Sequence, residues 1–318
     1  GRPCGSARLR LPWYSSTDSP TGSREDLPLA KRVGGVKGPV VGTTRGVGGA
    51  RLRTLSWPVP RPRGRVQVIH GLSEHMGRYD LLVDALNDEG LSVFGHDHRG
   101  HGASDGRRGV VGYFPDLIED VAHVAGLADE LAPAPGPPML IAHSLGGLVG
   151  IRYLQEHRPR LQAAVVSAPW LATAGEFSLR DRVAMSVLRR VAPDWPVSRP
   201  VRPELLTRDE VRAKKFRDDP LVGTSLAVSF FDQVTEAQGV ALSQGLPKDL
   251  PVLVLLPGDD QLTEVAVSRD WAERSGARCL ELPGTRHEPF NDIDRNTTFE
   301  RLLEWLKTQM AQGFEEDG

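Results

Sequence analysis

Short apolar runs separated by longer amphipathic stretches recur along most of the chain. That alternation of buried strands and one-faced helices builds a doubly wound, mostly parallel α/β sheet. The runs at 65–69, 91–95, 138–142, 162–167, 252–256 and 278–282 are predicted strands. Pro251-Val252-Leu253-Val254-Leu255-Leu256 is apolar without interruption, as a parallel strand covered on both faces must be. Alternating strand-like positions such as 51–57 open the pattern after Gly42, and the spacing predicts helices over about 78–89, 114–131, 145–156, 264–275 and 296–310. Far more residues than one crossover helix needs separate the runs at 162–167 and 252–256. The excess is predicted to form a helical cap over the strand ends, inserted just before the strand at 252–256. Within it Leu226, Phe230 and Val234 recur every four residues, with Ala227 and Phe231 beside them, so one helical face is expected there. Phe177, Leu179, Val183, Val187 and Val191 suggest a second, whose stripe Arg180 interrupts.

Residues 1–40 differ in kind. They are rich in Pro, Gly, Ser and Arg and show neither helical nor strand periodicity, so this segment is expected to be mostly disordered. The expected organisation is a disordered segment at 1–40, a core built from 41–169 and 250–312, and the cap at 170–249. There is no internal repeat.

The chemistry clusters at strand ends. Ala142-His143-Ser144-Leu145-Gly146 leaves the apolar Met139-Leu140-Ile141 run and enters a helical pattern. Small residues two before and two after a serine suit a sharp elbow that pushes its oxygen out of the sheet, which makes Ser144 a candidate nucleophile. An activated serine needs an imidazole base and a carboxylate to orient it. The run at 252–256 discharges into Pro257-Gly258-Asp259-Asp260-Gln261-Leu262, which offers two acids, and the strand at 278–282 ends in Pro283-Gly284-Thr285-Arg286-His287-Glu288, which offers His287. Open parallel sheets bind ligands along that edge. Upstream, the strand at 65–69 leads into His70-Gly71-Leu72-Ser73, where a close-approaching backbone can donate to an oxyanion. The N–H groups of Leu72 and Leu145 are the candidate oxyanion donors, and His70 is read as a hydrogen-bonding brace of its loop.

Three motifs together carry a family resemblance: His70-Gly71-Leu72-Ser73-Glu74-His75-Met76-Gly77-Arg78-Tyr79, Asp97-His98-Arg99-Gly100-His101-Gly102-Ala103-Ser104-Asp105-Gly106, and Ala142-His143-Ser144-Leu145-Gly146-Gly147. The chain resembles the monoacylglycerol lipase and lysophospholipase-like branch of the α/β-hydrolases, over roughly residues 45 to 310, including Asp219-Pro220-Leu221-Val222 late in the cap. It departs from the family pattern at Ala142, where Gly is usual, and at Pro257-Gly258-Asp259-Asp260, where a Gly commonly stands three residues before the acid. Aligned without a gap, Gln261-Leu262 matches the family's pair after its acid, which favours Asp260 over Asp259. The resemblance implies an α/β-hydrolase fold and a Ser144–Asp260–His287 triad acting through an acyl-enzyme. The implied substrate is a small lipid ester, foremost a monoacylglycerol cleaved to glycerol and fatty acid. Lysophospholipase or short-chain carboxylesterase activity is the alternative, acyl transfer to an alcohol a lesser one, and a non-catalytic ligand-binding protein on a hydrolase scaffold the reading from another class. Leu226 and Phe230 are the candidate substrate-binding residues of an acyl tunnel, and Met185 and Leu188 are candidates for meeting lipid at its opening, so transient contact of the cap with a membrane surface is expected.

Charge and composition narrow the partners. Lys and Arg number 39 against 41 Asp and Glu, leaving a net charge of −2 and no electrostatic footprint for nucleic acid. Only Cys4 and Cys279 are present, which indicates neither a disulfide framework nor a cysteine metal site and suits a reducing cytoplasm. No apolar run approaches the ~18 residues of a spanning helix, and the N-terminus lacks the apolar stretch of a secretory signal. A cytoplasmic location, peripheral to a membrane, is expected. His96, His98 and His101 raise a zinc site, but no third-ligand set accompanies them, and no metal is expected. No G-x-G-x-x-G follows a strand, so no cofactor is expected either. Arg99 and Asp105 are read as loop braces.

Overall fold

The computed structural model describes residues 38–175, 179–198 and 200–316. The chain divides into two units, Gly1–Lys31 and Arg32–Gly318, and every described residue falls in the second. Most of the segment expected to be disordered lies outside the described residues, as do Cys4 and Phe177.

Among the described residues ten strands form in chain order: β1 (Val40–Arg45), β2 (Arg51–Trp57), β3 (Gly64–Ile69), β4 (Leu91–His96), β5 (Met139–His143), β6 (Ala163–Ser167), β7 (Pro196–Ser198), β8 (Ser225–Ala227), β9 (Val252–Pro257) and β10 (Arg278–Leu282). The helices are α1 (Asp80–Asp88), α2 (Pro115–Ala125), α3 (Ala128–Leu131), α4 (Leu145–His157), α5 (Leu179–Val191), α6 (Pro203–Leu206), α7 (Glu210–Asp218), α8 (Val228–Ser243), α9 (Val265–Arg274) and α10 (Arg295–Glu316). Eight strands share one sheet in the order β1-β2-β4-β3-β5-β6-β9-β10. β1 and β2 enter antiparallel, and every pairing from β4 to β10 is parallel, with Val68 opposite Ile141, Ala142 opposite Val166 and Ser167 opposite Leu255.

The two-residue period of the strands divides their side chains between two cores. Leu140, Ala142, Val252, Val254 and Leu256 pack against α2, α4, α8 and α9 through Leu117, Val121, Leu148, Phe230 and Trp271. Met139, Ile141, Val165, Leu253 and Leu255 pack on the other side against α1 and α10 through Leu82, Leu86, Leu302 and Leu306. This double coverage explains the unbroken apolar run in β9. It also makes the sheet a rigid bench from whose C-terminal edge the loops project.

The departures from the expected elements are local. The helix expected over 114–131 is two, because at Gly126 the N–H turns to both Ala122 and Val124 and the chain restarts as α3; glycine has a weak helical preference. Strand β1 begins at Val40 on the sheet edge, where exposed Val40 and Val41 give no alternating pattern. The insertion between β6 and β9 carries α5 to α8 and, besides them, an antiparallel ribbon that pairs Val197 of β7 with Leu226 of β8. Leu226 therefore stands on a strand, and α8 starts only at Val228, so Leu226, Phe230 and Val234 do not share one helical face. Among the described residues no helix is long and apolar enough to cross a membrane.

Candidate active site

Ser144 sits where β5 turns into α4, with φ 55° and ψ −117°. That conformation is costly for a residue with a Cβ, and it persists because the surroundings hold it. The Ser144 N–H donates to Ser167 O at 2.9 Å, and its carbonyl accepts from Trp170 N at 3.0 Å and Leu148 N at 3.1 Å. A side chain on Gly146 could not fit, since its Cβ would lie 2.4 Å from the carbonyl oxygens of Ile69 and His70. The unusual Ala142 is accommodated from the opposite side. Its methyl is fully buried, and a Cβ at Gly150 would come within 2.8 Å of it, so Gly150 supplies the space that the elbow itself does not.

The three loops converge. Ser144 Oγ lies 2.9 Å from His287 Nε2, and His287 Nδ1 lies 2.8 Å from Asp260 Oδ2. Asp260 is held on every side: Oδ1 accepts from the N–H groups of Leu262 and Thr263 at 2.8 and 3.1 Å, and Oδ2 from the Thr263 hydroxyl at 2.7 Å. Burial alone would raise the Asp260 carboxyl. The His287 ring, the Thr263 hydroxyl and the Leu262 N–H outweigh it and hold the carboxyl below the usual carboxylate range. His287 moves the other way: burial would lower it, but Asp260 and, farther off, Glu288 and Glu74 lift it above the ordinary imidazole value. Asp259 is half exposed, 3.6 Å from Arg286, and makes no contact with the imidazole.

Leu72 and the N-terminus of α4 flank Ser144. No described residue accepts the Leu72 N–H, and Leu145 stands in the first turn of α4, where the N–H groups have no intrahelical acceptor. A serine so placed stands within hydrogen-bond reach of an imidazole that can take its proton.

Above Ser144 and His287 opens a cavity of about 480 Å³ walled mainly by apolar side chains, among them Trp170, Met185, Leu188, Leu226 and Phe231. Leu226 thus borders the site as expected. Phe230 does not: it is fully buried in the core, one residue out of phase, and its neighbour Phe231 faces the cavity instead. The error follows from placing Leu226 and Phe230 on one helix. Trp170 and the Asp260 partner Thr263 carry no signal in the sequence, and Phe231 reads there only as a neighbour of the expected helical face, since nothing in their local pattern separates a cavity wall from an ordinary core position.

The histidines near the site serve the backbone. His70 Nε2 accepts from His98 N at 2.8 Å while its Nδ1 donates to Gly71 O at 2.8 Å, and His98 Nε2 lies 3.1 Å from His70 O. Burial holds His70, His98 and His101 below the ordinary imidazole value. His143, beside His287, is pushed down to about 3 by burial and by that neighbouring ring. Arg99 braces Asp116 and Asp120, and Asp105 braces Arg51.

The family described as serine aminopeptidase, S33, matches residues 60–294. The chain is 29% identical over 276 residues to a monoacylglycerol lipase of Mycolicibacterium smegmatis, covering 83% of this chain and 96% of that one. It is 32% identical over 256 residues to the human monoglyceride lipase, covering 74% and 83%. The crystal structure of Paleococcus ferrophilus monoacylglycerol lipase superposes with a TM-score of 0.72 at 29% identity, over 81% of this chain and 99% of that one. With a fold, an elbow serine and a family match that agree, the chain belongs to the serine aminopeptidase, S33, family and is an α/β-hydrolase of the monoacylglycerol lipase-like kind.

Proposed function

We propose that this enzyme hydrolyses monoacylglycerols to glycerol and fatty acid, with Ser144 as nucleophile, His287 as general base and acid, and Asp260 as the group that orients the imidazole. The observation that carries the reading is the continuous Ser144–His287–Asp260 hydrogen-bonded chain at the floor of an apolar cavity. Asp260 accepts a hydrogen bond from His287 Nδ1–H, which fixes that proton on Nδ1 and leaves Nε2 free to take the proton of Ser144 as its oxygen adds to the ester carbon. The resulting oxyanion is met by the Leu72 and Leu145 N–H groups. His287 then protonates the departing glycerol oxygen, the acyl group stays on Ser144, and a water deprotonated by His287 releases the fatty acid and restores the serine.

The cavity wall suits an acyl chain, and the names of the relatives point to the monoester. The outer side of the cap supports contact with a lipid surface: Met185 and Leu188 border the cavity, while Val183, Val187, Val191 and Trp195 are each more than half exposed along the same segment. A cytoplasmic location peripheral to the membrane agrees with the free thiol of Cys279. The core of 41–169 and 250–312 and the cap of 170–249 are the proposed functional divisions.

The experiment is a profile of the pure protein on glycerol monoesters, lysophospholipids and short p-nitrophenyl esters. The reading predicts the highest kcat/KM on medium- or long-chain glycerol monoesters. A profile led by lysophospholipids or by butyryl esters would overturn the substrate assignment.

A further inference from the structure

Two carboxylates and one guanidinium lie buried directly behind the site. Arg78 Nη2 bonds both oxygens of Glu288 at 2.8 and 2.6 Å, and Arg78 Nε bonds Glu74 at 3.3 Å. All three side chains are 5–6% exposed, and none borders the cavity. Glu288 follows His287 in sequence and also accepts from Asn291 Nδ2 at 2.8 Å. Glu74 Oε1 accepts the Gly71 N–H at 2.5 Å and the Tyr79 hydroxyl at 2.8 Å. One guanidinium therefore ties the loop of His287 to the loop of Leu72.

Burying three charges carries a desolvation cost that a well-packed apolar trio would avoid, so stability alone does not account for the arrangement. Geometry does. In a planar trans peptide the C=O and the following N–H point in opposite directions. The Gly71 carbonyl is held by His70 Nδ1, whose tautomer is set because Nε2 already accepts from His98, and this faces the Leu72 N–H the other way. Glu74 holds the preceding N–H of the same turn. We propose that Glu74, joined through Arg78 to Glu288, is a positioning residue for ester hydrolysis: it keeps the Leu72 N–H aimed at the oxyanion and locks that turn to the histidine loop. The inference rests on the triad reading above. A second effect follows from charge. His287 is faced by Asp260 at Nδ1, Ser144 at Nε2 and the His143 ring 4.9 Å away, with Glu288, Glu74 and Arg78 behind. The two glutamates favour the imidazolium that forms while His287 carries the serine proton.

The test compares wild type with Glu74→Ala, Glu74→Gln and Ser144→Ala on p-nitrophenyl butyrate, with octylboronic acid as a tetrahedral mimic of the intermediate. Deleting a whole oxyanion donor costs about 10²–10³ in kcat. A misaimed donor in Glu74→Ala is expected to cost roughly tenfold to hundredfold in kcat, with KM little changed and boronate affinity weakened by the same factor. Glu74→Gln keeps the shape and an acceptor for Gly71 but loses the charge; the acid limb of its kcat/KM profile should move to lower pH, a shift that a merely structural role would not produce. A folded Glu74→Ala with wild-type kcat and boronate affinity, or a Glu74→Gln with an unmoved acid limb, overturns the role while leaving the triad standing if Ser144→Ala is inactive. Full activity in Ser144→Ala refutes the nucleophile and this role with it.

Discussion

Replacing Asp260 with Asn removes one negative charge and nothing of the shape. In the native site its four incoming hydrogen bonds divide evenly: the Leu262 and Thr263 N–H groups on one oxygen, the Thr263 hydroxyl and His287 Nδ1 on the other. The amide has a single oxygen. If that oxygen stays with the two backbone donors, its NH₂ faces His287 Nδ1, and the imidazole must carry its proton on Nε2 instead, toward Ser144. The base then has no lone pair for the serine proton. The equivalent change in a serine protease lowers kcat about 10⁴-fold, or about 5.4 kcal/mol at 1.36 kcal/mol per decade. A similar loss is expected for Asp260→Asn, whereas Asp259→Asn, exposed beside Arg286, should change kcat less than about twofold, in keeping with the near-zero value of surface ion pairs. Steady-state kinetics on one glycerol monoester, with thermal denaturation to show that both variants are folded, decides the matter. A crippled Asp259→Asn beside an active Asp260→Asn would refute the reasoning.

Other outcomes follow from the same geometry. Because His287 is raised above the ordinary imidazole value and must be neutral to accept the serine proton, kcat/KM should be full at alkaline pH and fall as pH drops through a midpoint above 6.5; a pH–rate profile with a lower midpoint would contradict the assignment. Phe230→Ala should cost about 3–5 kcal/mol of stability in a urea titration with the chain-length profile kept, whereas Phe231→Ala should flatten the preference for longer acyl chains at little cost in stability. Val187→Asp should leave hydrolysis of soluble short esters at wild-type rates and weaken co-sedimentation with phosphatidylcholine vesicles severalfold; unchanged sedimentation would remove the α5 face from the lipid surface.

How far the chain's own residues announce this structure varies with the kind of contact. Strand β9 is legible because burial on both faces demands a run of apolar residues, edge strand β10 shows instead as an alternation of buried Leu280 and Leu282 with exposed Glu281, and the three loops that carry Ser144, Asp260 and His287 follow from the strand ends they leave. The choice between Asp259 and Asp260 is not legible from residue type, since both are acids in one turn; it needed the family's register at Gln261-Leu262. The ribbon of β7 and β8 is too short to show a period, and that displaced Phe230 onto a cavity that Phe231 borders. Glu74 and Arg78 stand in an evident motif, yet their partner Glu288 is 210 residues from Arg78, and no local pattern reports a bond across that distance.

The central claim is that the elbow serine is the activated one, and the most direct measurement is covalent labelling with an activated fluorophosphonate followed by peptide mass spectrometry. Held 2.9 Å from His287 Nε2, Ser144 should carry the label stoichiometrically, labelling should vanish in Ser144→Ala, and it should slow sharply in Asp260→Asn. Label found on another serine, or persisting in Ser144→Ala at the wild-type rate, would contradict the account.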